Sequence, residues 1–168
     1  DDLSGWLNTK KIACFVTATN PEYHSIVDNT TAYKFGKKEV KLTGLPRYDR
    51  LLTNNNTKSK QILIMPTWRN SIVGTYISGT ERTRNPDFMK TNYAKHWHSF
   101  MNHAILKELN DQGYQIVFAP HPSIQEYMDE FTVPNFIKIY SYSEGNIQSV
   151  FQNTSILITD YSSVAFDV

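Results

Sequence analysis

The stretch Gln61-Ile62-Leu63-Ile64-Met65-Pro66-Thr67-Trp68-Arg69 decides the fold of this chain. It is a short unbroken apolar run, stopped by proline and followed at once by polar and cationic residues. A strand covered on both faces by helices has no polar face, so it reads as a continuous apolar run and not as an alternation. The same form recurs at 114–119, 136–140 and 155–159, and upstream at 12–17 and 39–43. These six runs predict six strands. Amphipathic stretches lie between them. One helix starts near Asn20-Pro21-Glu22, capped by Thr19 or Asn20, and runs to about Tyr33. A long one covers 92–111 and is ended by Gly113. The capping boxes Ser123-Ile124-Gln125-Glu126 and Ser141-Tyr142-Ser143-Glu144 open two more, and another starts at Val164. Strands alternating with helices make right-handed crossovers, so the predicted class is α/β with a doubly wound, Rossmann-like parallel sheet.

The 168 residues, 40% of them hydrophobic, suffice for one domain and part of a second. The seam is Thr53-Asn54-Asn55-Asn56-Thr57-Lys58-Ser59-Lys60, which has no apolar residue. Residues 1–52 are then the end of one α/β unit, 53–60 a linker, and 61–168 most of a second unit. Charge changes across the seam, from a balance of +4 over 1–60 to −3 over 61–168. The total of +1 excludes a general electrostatic grip on nucleic acid. No apolar run approaches the roughly 18 residues that span a bilayer. A single Cys14, expected to be packed mid-strand, allows neither a disulfide framework nor a thiolate metal site and suits a reducing, cytoplasmic compartment. The start at Asp1 without Met and the apolar end at Val164-Ala165-Phe166-Asp167-Val168 read as a piece of something longer. The connection from Thr67 to Thr91 is long enough to be functional or mobile.

Open α/β sheets bind ligands at the carboxyl ends of their strands. Four loops there carry unusual residues: Gly44-Leu45-Pro46-Arg47-Tyr48-Asp49, Pro66-Thr67-Trp68-Arg69, Pro120-His121-Pro122-Ser123 and Asp160-Tyr161-Ser162-Ser163. Ser162 and Ser163 precede a predicted helix, so their hydroxyls and the free N–H groups can hold a phosphate, or a serine simply caps its own helix. Asp160 either accepts a bond from a ribose hydroxyl or braces the turn. His121, held extended between two prolines, can serve as acid, base or cation, or be tied to a neighbouring carbonyl. Arg69 suits bidentate contact with phosphate, and Trp68 suits stacking on a base or core packing. Arg47 and Asp49 either pair across a turn or meet a ligand. His96, His98 and His103 make no expected metal site, because on one helix His98 lies about 200° from His96. No G-x-S-x-G elbow, Walker loop or G-x-G-x-x-G loop is present.

Taken as an ordered set, Thr43-Gly44-Leu45-Pro46-Arg47-Tyr48-Asp49-Arg50-Leu51, Pro66-Thr67-Trp68-Arg69, His121-Pro122 and Ile158-Thr159-Asp160-Tyr161-Ser162-Ser163-Val164 resemble the CDP-glycerol glycerophosphotransferase family. Its enzymes build or prime teichoic acids, and related members act in capsule synthesis. The resemblance runs from about Phe15 onward and implies two Rossmann-like domains of GT-B type, with the nucleotide held mainly by the second and a hinge around Asn54 to Asn56. It implies that His121, Ser162 and Ser163 engage the donor pyrophosphate and that Thr67 and Arg69 lie beside them. Asp160 and Tyr161 then shape the nucleotide pocket, with Arg47, Asp49 and Trp68 in support. In the implied reaction an acceptor hydroxyl attacks the phosphate bearing glycerol and CMP leaves, which calls for CDP-glycerol as donor and for no metal or other cofactor. The implied acceptor is lipid-linked or polymeric, met by a peripheral protein at the inner face of the cell membrane through parts absent from this chain. One departure stands out: the family's first-domain Trp-His-Gly-Thr motif, the expected source of the acceptor base, is missing, and Trp97-His98-Ser99 copies only its first two letters. The chain alone is therefore expected to bind donor weakly and not to turn over. A GT-B glycosyltransferase or sugar-nucleotide epimerase is the enzymatic alternative, and a glycopolymer- or partner-binding module the non-catalytic one.

Overall fold

In the computed structural model, which describes residues 2–28, 30–53, 59–78, 81–143 and 145–168, the chain divides into two units, Asp1–Thr53 and Asn54–Val168. Residues 54–58 of the expected linker lie outside the described residues. The first unit contains α1 (Ser4–Leu7), β1 (Phe15–Thr17), α2 (Asn20–Val27), β2 (Val40–Leu42) and α3 (Pro46–Thr53). β1 and β2 pair in parallel with Phe15 opposite Val40, and Leu7, Ile26, Phe35 and Val40 form their core. Helix α2 starts as expected, with Thr19 accepting from the Glu22 amide, but ends at Val27 and not near Tyr33. Asp28 turns extended there and Thr31 Oγ1 donates to the Ile26 carbonyl, so side-chain bonds replace the next helical turn. Cys14 precedes β1 and is exposed, not packed. The loop after β2 winds into α3, which carries Arg47 and Asp49. Arg47 lies over the Tyr48 ring at 4.9 Å.

The second unit contains β3 (Gln61–Ile64), β4 (Tyr76–Ser78), β5 (Glu81–Arg82), a 3-10 turn (Phe88–Lys90), α4 (Asn92–Met101), α5 (Ala104–Asp111), β6 (Gln115–Phe118), α6 (Pro122–Gln125), β7 (Ile137–Ile139), α7 (Ile147–Asn153), β8 (Thr154–Ile158) and a final 3-10 turn (Ser163–Phe166). Four strands form one parallel sheet in the order β7-β6-β3-β8. β3 is central and wholly buried, as its unbroken apolar run requires. The first of these strands in the chain thus pairs with the second on one side and the fourth on the other. Strand order reverses between β3 and β8, which is the switch point where doubly wound sheets open a crevice for ligands. Under the sheet, Phe88 stacks on Tyr127 with ring centres 4.0 Å apart, among Phe118, Phe131, Met101 and Leu106.

Four local expectations are corrected here. The helix over 92–111 is two helices, because Asn102 donates to the carbonyls of His98 and Thr132 and the extended His103 caps α5 through the Ile105 amide. Ser123 does not cap α6; the residue before Pro122 must be extended, so His121 takes the cap. The helix after Ser141 begins only at Ile147, capped by Asn146, while Ser141 and Ser143 bond each other in a turn; Glu144 lies outside the described residues. After β8 comes one 3-10 turn, not an α-helix. Within the long connection from Thr67 to Thr91 lies the unforeseen antiparallel hairpin β4–β5. At its base Gly74 passes so near the other leg that a Cβ would stand 1.5 Å from the Thr83 carbonyl oxygen, a place only glycine can hold.

Candidate functional site

The sheet carries the loops after β3, β6 and β8 to one edge. At the switch point two of them are tied together: the Thr67 amide donates to Asp160 Oδ1 at 2.8 Å, and Arg69 Nη2 donates to Asp160 Oδ2 at 2.6 Å. Thr159 Oγ1 adds a bond to the Met65 carbonyl at 2.7 Å. Asp160 therefore braces the turn. Burial pushes its carboxyl up, but the Thr67 and Arg69 donors outweigh that and hold it below the ordinary carboxylate value. Arg69 is fixed further by its own loop, with Nη1 on the carbonyls of Thr67 and Trp68 and its guanidinium 5.2 Å from the centre of the Tyr161 ring. Among the described residues, three of its five N–H groups serve these bonds, which leaves two for a ligand.

His121 follows β6 and stacks on Trp68, centres 5.4 Å apart and planes at 24°. The Ser123 amide donates to its Nδ1 at 3.2 Å, so the neutral ring carries its proton on Nε2 and presents a donor there. Burial lowers its pKa, which favours this neutral form. A hydrogen-bond donor aimed at a phosphate oxygen is what this tautomer supplies; a base at Nε2 it does not.

Thr67, Trp68, Arg69, Asp160 and Tyr161 are thus brought into direct contact, and His121 joins them through Trp68. Trp68 is half-buried against the core and holds His121, the packing role among its two possible ones. Ser162 and Ser163 are at the same edge: Ser162 Oγ accepts from the Val164 amide at 3.3 Å, the capping one of its two readings, and the 3-10 turn that stands in place of the expected helix brings no helix dipole to favour an anion. Arg47 and Asp49 belong to the first unit.

Tyr93 was not foreseen. It lies in the first turn of α4, and its hydroxyl is buried with no hydrogen bond to the described residues; the Thr67 hydroxyl is in the same position. Burial drives the Tyr93 phenol far up in its place against the core, where the charge of Asp160 adds to this and that of Arg69 partly counters it. Only long-range packing places it there, so the sequence carries no signal for it. Tyr93→Phe is expected to leave the melting temperature unchanged or raised, since a buried hydroxyl without a partner contributes no stability. Thermal unfolding by circular dichroism checks this, and a clear fall would show that the hydroxyl is bonded.

A family model described as CDP-glycerol:poly(glycerophosphate) glycerophosphotransferase matches residues 4–168. The chain belongs to this family. The minor teichoic acid biosynthesis protein GgaB of Bacillus subtilis (strain 168) is 39% identical over 171 residues, covering 99% of this chain. The chain spans only 18% of GgaB's length. Two solved structures of the wall teichoic acid polymerase TagF share the fold: a histidine-to-alanine variant at TM-score 0.52 and a histidine-to-asparagine variant soaked with CDPG at 0.56. Each is 19% identical and aligns with 92% of this chain and 36% of its own. No helix among the described residues is long and apolar enough to cross a membrane.

Proposed function

We propose that this chain is the donor-binding portion of a GT-B transferase that moves glycerol phosphate, or a related polyol phosphate, from a CDP-activated donor to a lipid-linked or polymeric acceptor in teichoic acid or capsule synthesis. Residues 61–168 hold the nucleotide, residues 1–52 are the end of the acceptor-side domain, and 53–60 link the two. The observation that carries this reading is the Thr67–Asp160–Arg69 cluster at the switch point, with His121 packed beside it on Trp68. Family membership supplies the reaction class.

The acceptor hydroxyl attacks the phosphorus that bears glycerol, the anhydride P–O bond breaks, and CMP leaves with the bonding pair. Transfer of this kind needs charge neutralisation and alignment more than covalent help. The two free N–H groups of Arg69 and the Nε2–H of His121 bond the pyrophosphate oxygens where negative charge grows, and the Ser163 hydroxyl and exposed Tyr161 ring border the nucleotide. The acceptor proton passes to a base contributed by the rest of the protein, so this chain binds donor without turning it over. The reaction takes place on the cytoplasmic side, with membrane contact made by other parts of the protein.

Thermal shift with CDP-glycerol, CDP-ribitol and a UDP-sugar tests this. A ligand at about 100 times its Kd adds about 2.7 kcal/mol to folding, a shift of several degrees. Stabilisation by a CDP-polyol is the expected result, and stabilisation by the UDP-sugar alone would overturn it. Release of CMP from CDP-glycerol by this chain alone would overturn the division of labour between donor and acceptor sides.

A further inference from the structure

The second unit has three arginines, and two of them are matched by carboxylates. Arg69 meets Asp160, and Arg84 meets Asp129 at 2.5 Å and Glu130 at 2.6 Å. Arg82, on β5, is half-buried, and among the described residues no carboxylate meets it. Its guanidinium lies 5.0 Å from the centre of the Trp68 ring and 5.9 Å from that of Tyr76, and its Nη1 donates to the Gly74 carbonyl at 3.3 Å. Aromatic faces hold a cation in place without neutralising it, and the remaining N–H groups stay available for an anion.

Arg82 borders a cleft of about 510 Å³ lined also by Asn70, Val73, Gly74, Thr75 and Tyr76. Its walls are firmly built. The Thr75 amide donates to Thr83 Oγ1 and the Thr83 amide to the Thr75 carbonyl, at 2.8 and 2.9 Å. Asn85 is bonded to the Ile72 carbonyl and the Tyr127 hydroxyl, and Arg84 pins the second leg of the hairpin to Asp129 and Glu130. A held cation, an amide, a hydroxyl and an aromatic face suit a ligand that is both phosphorylated and rich in hydroxyls. The cleft is also coupled to the candidate donor site, because the Trp68 ring that carries Arg82 carries His121 too.

We infer that the cleft beneath the β4–β5 hairpin binds a phosphodiester of the polyol-phosphate acceptor chain, with Arg82 as its cation and Tyr76 as the platform for the polyol. A phosphate of the acceptor held there keeps the growing end next to the group to be transferred. This assignment of an acceptor rests on the proposed transferase function, whereas the anion site itself does not.

The test is calorimetric titration of this chain with a synthetic tri(glycerol phosphate), with inorganic phosphate, and separately with CDP-glycerol. The oligomer is expected to bind more tightly than inorganic phosphate, to lose about tenfold in affinity with Arg82→Gln, and to recover only part of that with Arg82→Lys, whose ammonium lacks the planar fork. Unaltered oligomer affinity in Arg82→Gln, or binding no tighter than that of inorganic phosphate, would overturn the inference. Amide chemical shifts of the unmutated chain give a second measurement that no folding defect can obscure: the oligomer should move the signals of residues 70–76, and movement confined elsewhere refutes the cleft. Arg82-dependent oligomer binding without any CDP-glycerol binding would refute the donor reading and leave the cleft standing. CDP-glycerol binding without the oligomer would do the reverse.

Discussion

Replacing His121 with asparagine in the full-length protein is expected to lower the rate of glycerophosphate transfer by roughly 100-fold or more, the usual loss for one donor to developing charge, with little loss of stability. Asparagine is a good N-cap, so its side-chain oxygen can take over the bond that Nδ1 accepts from the Ser123 amide. What disappears is the Nε2–H donor. His121→Gln is the complement, since it can reach toward the Nε2 position but is a poor cap. The first variant should lose activity and keep its melting temperature; the second should do more harm to stability. If His121→Asn retains full turnover, the ring is only a cap and a packing partner for Trp68. Burial sets the pH dependence as well. A histidine whose pKa is lowered on folding contributes stability that is fully present above its ordinary value of 6.5 and is lost as pH falls below it. Chemical denaturation between pH 7.5 and 5 should show that decline in the native protein, and His121→Asn should remove its share.

Asp160→Asn should separate the two loops at the switch point. One oxygen can still accept from the Thr67 amide, but the other is replaced by an amide donor that faces the Arg69 Nη2–H group. Hydrogen bonds to charged groups contribute about 1.5–3 kcal/mol when protected from water. Here the side chains of Arg69 and Asp160 retain 35% and 23% exposure, so solvent screening lowers the expected loss to about 1 kcal/mol. The functional loss should be larger, about tenfold or more in affinity for CDP-glycerol, because Arg69 loses the partner that aims it. Equilibrium unfolding and donor titration on the same preparation measure both quantities. The sign with pH is that of His121 but at lower pH: a carboxyl held low in the folded state contributes stability above its ordinary value of 3.8, and that part is lost as pH falls through the folded-state pKa. The Asn variant should not show this part of the acid transition. An unchanged acid transition and unchanged donor affinity would mean that the Asp160 bridge is incidental to the site.

Strand positions and the parallel class could be read from the chain because a strand buried on both faces announces itself locally, as Ile62-Leu63-Ile64 does. The strand-end residues Thr67, Arg69, His121 and Asp160 were visible for the same reason: each follows directly on an apolar run. Breaks inside apparently continuous helices were not. His103 ends one helix and begins another only because Asn102 finds the carbonyl of Thr132, 30 residues away. Likewise, Ser162 and Ser163 promised a helix start, and whether that turn continues as α or 3-10 depends on more than their own spacing.

By itself, then, the sequence determined a parallel α/β fold with polar residues waiting at the carboxyl ends of its strands, since apolar periodicity and proline placement act over a few residues. Tertiary structure alone decided which of those residues meet. The order β7-β6-β3-β8 sets the β3 and β8 loops side by side, so that Arg69 finds Asp160 across 91 residues of chain. It also folded the connection after β3 back as a hairpin, resting Arg82 on Trp68 with no carboxylate against it among the described residues. Contacts of that kind are fixed by the geometry of the assembled sheet and by the depth at which a side chain is buried, neither of which any local stretch of sequence contains.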